Sequence, residues 1–512
     1  MNRIFIIVTF LISGLTVSYA QKTLQERAMD LISDPAFVNA LVGIKAVTGS
    51  GDTLVKVNSD KLLVPASNMK LVSTGNALVK LGADFRYRTD LAHDGVISDG
   101  ILHGNLYIVG NGDPLVGSKD SIATPLESTF REWENIVRKA GIRHIHGHII
   151  GDGRWLDGMI EEPTWQWSDI GTYYGTGLSG LNFHENMISF NVSVNHNNVK
   201  EPLNIKQVYP STSWLDITNS GTVGEKGTGD RLYMYTSELA PTAEIRGTFG
   251  IDRGPKRVDF SNKYPEYTCA VYFKNFLEKS GITCTGGAAD FKLKNEWISG
   301  QKPPYGISPQ GDSIKVIGST YSPSLSEIVF KTNHESNNLL AEALFRTLGK
   351  EDCGDSSYEP SRSACLDALK EIMSTEYSPV RIQDGSGLSR QNLISADFMC
   401  SFLQSMMRTD CFEDFLWSLA VPAENGSMRY NMTRFPKELR QRIRVKSGSM
   451  SNIRCYSGYI LPADYTPAHG AAISQEVREK IIVFSILTGN LIAPPWKVSP
   501  PIEKFMAGMA GF

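Results

Sequence analysis

The chain has 512 residues, 41% of them hydrophobic, and a formal net charge of −3 at pH 7. Its length predicts more than one domain, and its apolar content is sufficient for buried cores. A chain without an excess of positive charge is not expected to bind nucleic acid. No apolar run beyond the first twenty residues is long enough to span a membrane, so we also expect no transmembrane anchor.

The first twenty residues have the features of a secretory signal peptide. Arg3 is followed by an apolar run over residues 4–15, and a stretch of small residues ends at Ala20. This pattern predicts cleavage after Ala20, a mature chain that starts at Gln21, and export, most naturally to the periplasm. No cysteine follows the predicted cut, so a lipid anchor is not indicated.

Seven cysteines in an exported chain leave at least one unpaired if all disulfides are internal. Three pairs are close enough in sequence to form disulfides: Cys269 with Cys284, Cys353 with Cys365, and Cys400 with Cys411. Spacing does not fix the connectivity. Cys455 is expected to be a small buried residue on a strand.

The mature chain begins with a helix, a hairpin and a second helix. Residues 23–31 have a helical pattern, and residues 41–47 and 53–57 are predicted strands joined by a Gly-Ser-Gly-Asp turn. Apolar residues then recur with helical spacing from Asn68 until Gly82, which supplies a helix stop.

Ser67 and Lys70 lie at the start of this second helix. Three residues apart, they share one helical face, where a neutral lysine amine could take the proton of the serine hydroxyl. The amine is neutral only if burial or a nearby cation lowers its pKa. The pattern also fits a helix-capping serine followed by a solvated lysine. A second Ser-x-x-Lys match, from Ser299 to Lys302, shows that spacing alone is not specific.

The middle of the chain consists mainly of short predicted strands, with helices at 126–140 and 270–279. Residues 144–152 alternate as one strand with three histidines on one face. A metal site there would lack a fourth ligand, so a polar strand face is the favoured interpretation. Residues 165–175 are rich in aromatic side chains and contain one acid, Asp169, which fits a ligand groove and a packed loop equally well.

The last third of the chain contains further helices and strands. Helices are predicted at 324–331, 338–348 and within 395–420, with a turn at 332–337, and strands at 443–446, 455–461 and 480–487. We expect the late strands to join the early hairpin in one sheet, with the middle of the chain inserted between them.

Two further groups provide what a serine nucleophile needs besides a base. Ser336 and Asn338 place a hydroxyl and an amide two residues apart in the predicted turn, where they could relay a proton and orient the lysine. Lys446 and Ser447 lie on a predicted strand. They precede Gly448, whose small size would let a substrate backbone lie close alongside.

In this order, the three groups resemble the motifs of penicillin-binding proteins and serine β-lactamases. The chain is similar to the class C low-molecular-mass penicillin-binding proteins, the D-alanyl-D-alanine carboxypeptidase/endopeptidase family of the penicillin-binding protein 4 type. The segments that carry this resemblance are Pro-Ala-Ser67-Asn-Met-Lys70, Gly112-Asp113-Pro114, Trp-Ser-Asp169, Tyr173-Tyr174-Gly175, Asp384-Gly-Ser-Gly-Leu-Ser-Arg390-Gln-Asn392 and Lys446-Ser-Gly-Ser449. The similarity covers nearly the whole mature chain, and its long insertion is unlike a compact β-lactamase.

The resemblance implies an α+β fold. A transpeptidase/serine β-lactamase-like domain, an antiparallel sheet flanked by helices, would carry a large inserted β-rich region that forms two further domains. The implied divisions are a signal peptide at 1–20, the penicillin-binding domain at 21–85 and 312–512, domain II at 86–163 and 269–311, and a nested β-rich domain III at 164–268.

The resemblance also implies roles for the motif residues. Ser67 would be the nucleophile and Lys70 the general base, while Ser336 and Asn338 would assist proton transfer and substrate placement. Two departures from the family pattern are small. Serine replaces threonine at 447 and keeps the hydroxyl, and asparagine replaces aspartate at 337, between the side chains expected to act.

Further positions match the part of the family site that binds substrate. Lys446 and Ser447 would hold the terminal carboxylate, and the backbone N–H groups of Ser67 and Ser449 would form the oxyanion hole. Asp169 and Arg390 match positions near the donor-side pocket.

The implied activity is that of an exported serine DD-peptidase. It would cleave D-alanyl-D-alanine termini, D-alanyl-diamino acid cross-links or both in peptidoglycan stem peptides, and β-lactams would acylate Ser67. No cofactor or metal is implied. The alternatives are a β-lactamase, in which the acyl-enzyme turns over quickly, and a non-catalytic protein that binds the wall or senses β-lactams.

Overall fold

The computed structural model describes residues 22–194, 198–291, 314–373, 378–465 and 471–511. The predicted signal peptide and the second Ser-x-x-Lys match, at residues 299–302, lie outside these ranges. Within them, no helix is long and apolar enough to cross a membrane.

The elements of the described chain are mixed along its length. The helices are α1 (Leu24–Ile32), α2 (Met69–Leu81), α3 (Leu126–Lys139), α4 (Pro265–Lys279), α5 (Leu325–Glu335), α6 (Asn338–Cys353), α7 (Tyr358–Met373), α8 (Ala396–Met406), α9 (Phe412–Trp417), α10 (Lys437–Arg440), α11 (Gln475–Lys480) and α12 (Pro495–Met509). The strands are β1 (Leu41–Thr48), β2 (Thr53–Val57), β3 (Arg88–His93), β4 (Val96–Ser98), β5 (Ile101–His103), β6 (Leu106–Gly110), β7 (His144–Ile145), β8 (Ile149–Asp152), β9 (Met187–Ser193), β10 (Asn204–Tyr209), β11 (Asp216–Asn219), β12 (Thr222–Gly224), β13 (Asp230–Ser237), β14 (Ala240–Gly250), β15 (Lys256–Ser261), β16 (Thr283–Cys284), β17 (Ala288–Asp290), β18 (Lys315–Tyr321), β19 (Ile443–Met450), β20 (Ile453–Ile460) and β21 (Ile482–Gly489).

The two ends of the chain build one five-stranded sheet, in the order β19-β20-β21-β1-β2. Each neighbouring pair is antiparallel, and β1 pairs with β21 along its whole length. This arrangement confirms the prediction that the early hairpin and the late strands share a sheet. Strand β19, which carries Lys446 and Ser447, forms one edge.

Helices cover both faces of this sheet because its side chains alternate between two cores. Val47 and Val483 face a core that includes α2, α5, α6 and α8. Ile44 and Phe484 face the opposite core, which includes α1 and α12. The observed layers agree with the predicted antiparallel sheet flanked by helices.

Helix α2 lies within the first of these cores. Every residue from Met69 to Leu78 is buried, and the helix ends at Gly82, whose φ of 84° lies in the region that favours glycine. The predicted helix and its stop are therefore confirmed. Its N-terminal end points to the sheet edge at β19, next to which Ser67 lies.

The inserted strands form four smaller sheets. One has the order β17-β8-β6-β3-β18, and a second has β16-β7-β5-β4. Between the strands of these two sheets, along the chain, come β10-β9-β15 and a sheet of β11-β14-β12 with β13 beside β14. The second pair of sheets shares its own apolar core. The order of the sheets supports a nested insertion, and the domain boundaries given above are kept as a proposal.

The single strand predicted at 144–152 is wrong. Strands β7 and β8 belong to different sheets, and the chain passes from one to the other around Gly147. A side chain at Gly147 would lie 2.2 Å from the Gly104 carbonyl oxygen, so the crossing requires glycine. The three histidines therefore do not line one continuous strand face.

All seven cysteines lie in the described residues and all are free thiols. None of the three pairs that are close in sequence forms a disulfide. The Cys284 thiol donates to the Gly147 carbonyl at 3.1 Å, and Cys365 Sγ accepts from Asn76 at 3.0 Å. Cys455 is buried on strand β20, as predicted.

Candidate active site

Ser67 lies in a single 3₁₀ turn, Ala66–Asn68, directly before helix α2. The residue at the N-cap of α2 is Asn68, and no side chain caps this helix end. Ser67 is therefore not a capping serine, which removes the structural alternative considered from the sequence. Its hydroxyl oxygen lies 3.0 Å from Lys70 Nζ.

Lys70 is fully buried, and its amine has three neighbours. Besides Ser67 Oγ, Nζ donates to Asn338 Oδ1 at 2.6 Å and to the Ser386 carbonyl at 2.7 Å. A neutral amine has two N–H groups and one lone pair. Because the two carbonyl-type oxygens accept both N–H groups, the lone pair faces the Ser67 hydroxyl, as a general base requires.

Burial lowers the pKa of Lys70 to about 7, while the charges of Asp384 and Glu342 act in the opposite direction. The sequence predicted that Lys446 would contribute to this shift. In the structure, the repulsion between the two amines lowers the pKa of Lys446 instead. Burial and the charge of Lys70 hold the pKa of Lys446 well below its usual range.

The second group of residues lies at the break between α5 and α6. The predicted turn at 332–337 is too long, because α5 continues to Glu335. The break is at Ser336, whose φ of 62° ends the helix. Asn337 then caps α6 by accepting the Leu340 N–H at 3.1 Å, which leaves Ser336 and Asn338 facing the site.

Two hydrogen bonds fix the orientation of this group. Asn338 Nδ2 donates to the Tyr174 carbonyl at 2.7 Å, so its Oδ1 faces Lys70. Ser336 Oγ accepts from Lys446 Nζ at 2.8 Å. The site therefore pairs a serine with a lysine twice, Ser67 with Lys70 and Ser336 with Lys446. It also brings together residues more than 260 positions apart in the chain, because Lys70 contacts Asn338.

Strand β19 provides the third group. Lys446 is fully buried and also donates to the Ser447 carbonyl at 2.7 Å, while Ser449 is exposed at the cavity. The structure gives a reason for glycine at position 448 that differs from the one predicted from the sequence. A Cβ there would lie 2.7 Å from the Pro65 carbonyl oxygen, so glycine allows the strand to pack against the turn that holds Ser67.

A cavity of about 950 Å³ opens in front of these groups. Ser67, Ser336, Asn338 and Ser449 line it, whereas the two lysines lie behind its wall. The aromatic stretch at 165–175 also contributes to the lining, with Gln166, Asp169, Tyr173 and Tyr174. Of the two interpretations left open from the sequence, this finding supports the groove.

Asp169 and Arg390 both line the same cavity. Burial raises the pKa of Asp169, although the Tyr174 hydroxyl donates to Oδ1 at 3.2 Å and the charge of Arg390 favours the ionised form. Arg390 Nη1 reaches the Ser451 carbonyl at 3.4 Å. The two predicted donor-side residues thus lie in one cavity with Ser67.

Sequence reasoning assigned no role to Asp384 or Ser386, although both lie in a segment that carries the resemblance, and it missed Glu342. Ser386 accepts from Lys70, and Glu342 and Asp384 are buried beside it. Glu342 is a lone acid within an otherwise apolar stretch of α6, one turn after Asn338, and this isolated charge was the available signal. The Tyr174 carbonyl left no signal in the sequence, because any residue has one.

A serine hydroxyl beside a buried amine, with a second lysine and further donors around an open cavity, defines a serine hydrolase of the acyl-transfer class. The comparison with family models is more specific. Residues 24–495 match the D-Ala-D-Ala carboxypeptidase 3 (S13) family. The chain belongs to this family and is a serine-type hydrolase.

Two curated relatives cover most of the chain. A D-alanyl-D-alanine carboxypeptidase of Actinomadura sp. (strain R39) is 25% identical over 448 residues, 85% of this chain and 78% of the relative. The D-alanyl-D-alanine carboxypeptidase DacB of Haemophilus influenzae is 21% identical over 415 residues, 79% of each chain.

Among solved structures, penicillin binding protein 4 (dacB) from Haemophilus influenzae superposes with a TM-score of 0.74. The match covers 96% of this chain and 98% of that chain at 17% sequence identity. A structure of the same protein in complex with a β-lactam matches with a TM-score of 0.70 over 95% of this chain and 98% of that chain, at 18% identity. These matches confirm the predicted penicillin-binding fold.

Proposed function

We propose that the chain is an exported DD-peptidase that cleaves peptidoglycan stem peptides through an acyl-enzyme on Ser67. The observation that carries the proposal is the buried Lys70 amine, which lies 3.0 Å from Ser67 Oγ and also contacts Asn338 Oδ1 and the Ser386 carbonyl oxygen. The names of the relatives support the substrate class, since two of them are called D-alanyl-D-alanine carboxypeptidases.

In the proposed acylation, Ser67 Oγ attacks the carbonyl carbon of the penultimate D-alanine while Lys70 accepts the hydroxyl proton. The backbone N–H groups of Ser67 and Ser449 stabilise the developing oxyanion. Ser336 relays the proton that Lys70 has taken to the leaving amine, which restores neutral Lys70, and Asn338 holds both Lys70 and the substrate amide. Water then attacks the ester while Lys70 takes its proton, and Lys70 returns that proton to Ser67 Oγ as the C–O bond breaks.

Substrate binding is proposed to involve the third group. Lys446 and Ser447 hold the terminal carboxylate, and the substrate backbone extends along the edge of β19, past Gly448. Because Lys446 is buried next to another amine, a substrate carboxylate beside it would favour its charged form. This coupling favours substrates that end in a carboxylate.

The leaving group defines the type of cleavage. Release of a terminal D-alanine is carboxypeptidase action, and release of a cross-linking diamino acid is endopeptidase action. Asp169 and Arg390 provide opposite charges on the donor side of the cavity, where a side chain with both an amine and a carboxylate would find partners. β-Lactams are proposed to acylate the same serine.

Release of D-alanine from a pentapeptide substrate tests the proposal. We expect the wild-type protein to release D-alanine and the Ser67→Ala variant to release none, because the acyl-enzyme cannot form. Ser50→Ala is a matched control, since Ser50 lies in the turn between β1 and β2, away from the cavity, and its hydroxyl bonds within that turn. A wild-type protein that binds the peptide without releasing D-alanine would instead support a non-catalytic binder.

The β-lactamase alternative differs in the lifetime of the acyl-enzyme. A DD-peptidase keeps the penicilloyl group on Ser67 over minutes, whereas a β-lactamase releases hydrolysed drug continuously.

Export is tested separately by N-terminal sequencing of the protein recovered outside the cytoplasm. A first residue of Gln21 is the expected result.

A further inference from the structure

Helix α6 carries a buried carboxylate for which the proposed mechanism has no role. Glu342 is 1% exposed, and it lies one helical turn after Asn338, on the same face. Its oxygens accept the backbone N–H of Ser386 at 2.8 Å and of Gly385 at 3.3 Å. The carboxylate is thus bound to the loop that lies under Lys70.

This loop connects the carboxylate to the amine. The Ser386 carbonyl accepts one N–H of Lys70 at 2.7 Å, while Asn338, from the same helix as Glu342, accepts the other. Ser73 of α2 also donates to the Gly385 carbonyl at 2.7 Å. The position of the Lys70 amine therefore depends on α6 twice, directly through Asn338 and through the loop that Glu342 holds.

We propose that Glu342 is a positioning residue that controls the protonation of Lys70, by holding the Ser386 carbonyl against the amine and by placing a negative charge beside it. The inference rests on the proposed function, because it concerns the base that activates Ser67. It assigns a role to a residue that does not touch the reacting atoms.

The charged and titratable groups around Glu342 come from four elements. Asp384 lies on the loop, Lys70 on α2, Tyr358 on α7 and Arg346 on α6 itself. The Arg346 guanidinium packs over the Tyr358 ring and donates to backbone carbonyls rather than to Glu342. Lys446 on β19 is also close enough for the charge of Lys70 to lower its pKa.

The two nearby carboxylates are held differently. Asp384 accepts four N–H groups, from Gly387, Ser389, Asn392 and Trp165. Glu342 is held by the two loop N–H groups and by the side chain of Ser386, and burial together with the charge of Asp384 raises its pKa to about 7. The charge of Glu342 raises the pKa of Lys70, against the effect of burial.

The sign of the effect follows from this arrangement. A negative charge near Lys70 favours the ammonium form and raises the pKa of the amine. Removal of that charge lowers the pKa, so the neutral base persists to lower pH. Loss of Glu342 should therefore extend acylation towards acid pH, whereas a residue with a merely structural role would slow acylation equally at every pH.

The test is the second-order rate constant for acylation of Ser67 by penicillin, measured from pH 5 to pH 10 by mass spectrometry. The acid limb of this profile reports the titration of the base in the free enzyme. In Glu342→Gln, which keeps the shape and one acceptor oxygen, we expect the midpoint of this limb to fall by about one pH unit. An unchanged midpoint would overturn the inference, whatever the acylation rate constant on the plateau of the profile.

Two further variants control the measurement. Asp113→Asn removes another buried carboxyl whose pKa is also raised to about 7, but Asp113 accepts from the Leu115 N–H and does not act on Lys70. Its midpoint should equal that of the wild type. Glu342→Asp keeps the charge, so we expect a wild-type midpoint with a lower plateau. A full-unit fall in this variant would contradict the electrostatic role, even if Glu342→Gln does not fold.

The two proposals fail in different ways. If penicillin leaves wild-type Ser67 unmodified at every pH, the proposed function fails. If Ser67 is acylated and the Glu342→Gln midpoint does not move, the proposed function stands and only the role of Glu342 is lost.

Discussion

At the scale of single residues, the site depends on where buried groups meet rather than on which residue types are present. The sequence predicted that Ser67, Lys70, Ser336, Asn338 and Lys446 act together, and the structure brings their side chains into hydrogen-bonding contact. Their catalytic roles stay predictions. Glu342 was not predicted, because its partner is a backbone N–H on a loop 44 residues away.

Gly448 provides a prediction at this scale. In Gly448→Ala the new Cβ would lie 2.7 Å from the Pro65 carbonyl oxygen and 3.1 Å from Asn68 Oδ1, so the turn that carries Ser67 must move. We expect the free energy of unfolding to fall by about 1–3 kcal/mol and acylation of Ser67 to slow. Both are measured on the purified variant, by denaturant titration and by penicillin binding.

Gly489→Ala is the matched control for that substitution. Gly489 ends strand β21 of the same sheet, and the methyl group added there would lie 3.4 Å from its nearest neighbour, Leu63 Cδ2, which is an ordinary contact. This variant should leave stability and acylation close to wild type. Equal losses in the two variants would show that the Pro65 contact is not the reason for glycine at 448.

At the scale of elements, the long periodic segments were predictable and the breaks between them were not. Helix α2 and the strands of the five-stranded sheet lie where hydrophobic spacing predicts them. Helix α5 runs on to Glu335, because a histidine and a glutamate are tolerated in a last helical turn. Strands β7 and β16 have two residues each, too few for a periodic signal.

A buried ion pair holds the loop that carries Tyr173 and Tyr174, and its loss can be predicted. Lys263 Nζ lies 2.7 Å from Glu161, with both side chains almost fully buried, and donates to the Gly175 and Thr176 carbonyls at 3.0 and 3.2 Å. Lys263→Met leaves the glutamate charge unpaired, so we expect a loss of about 3–5 kcal/mol. Thermal and denaturant unfolding measure it.

An ion pair with an exposed lysine, in the same region, controls for the loss of a lysine. Lys256 Nζ lies 2.7 Å from Asp230, but its side chain is 48% exposed. Lys256→Met should change stability by less than about 1 kcal/mol, because water already solvates the lysine and can reach the partly exposed Asp230. If the two variants lose similar stability, burial of the Lys263 pair does not matter. The loop contact further predicts slower acylation only in Lys263→Met, because the Tyr174 carbonyl holds Asn338.

At the scale of the whole molecule, the first and last strands of the chain together form the five-stranded sheet, and the strands of the other sheets lie between them in the sequence. This topology was predicted, because both ends of the chain showed mixed strands and helices, with a hairpin near the N-terminus and three strands near the C-terminus that could share one sheet. The order of the inserted sheets was not, since pairings such as β8 with β17 join segments more than 130 residues apart. Short strands carry little information about distant partners.

The fold also explains why the motif spacing in the sequence is so uneven. Ser67 lies in the turn before helix α2 and Lys70 in its first turn, beside the sheet edge. Ser336 and Asn338 lie at a helix break, and Lys446 lies on the edge strand itself. The long insertion lies between the first and second groups in the sequence. It also returns to the cavity through Asp169 and Tyr174, so the inserted region contributes to the site.

The most direct test of the central claim is the location of the covalent adduct after penicillin treatment. Intact-mass measurement should show a single penicilloyl addition, and peptide mapping should place it on Ser67; the Ser67→Ala variant should show none. An adduct on another residue, or no adduct on a folded wild-type protein, would contradict the proposal that Ser67 is the nucleophile.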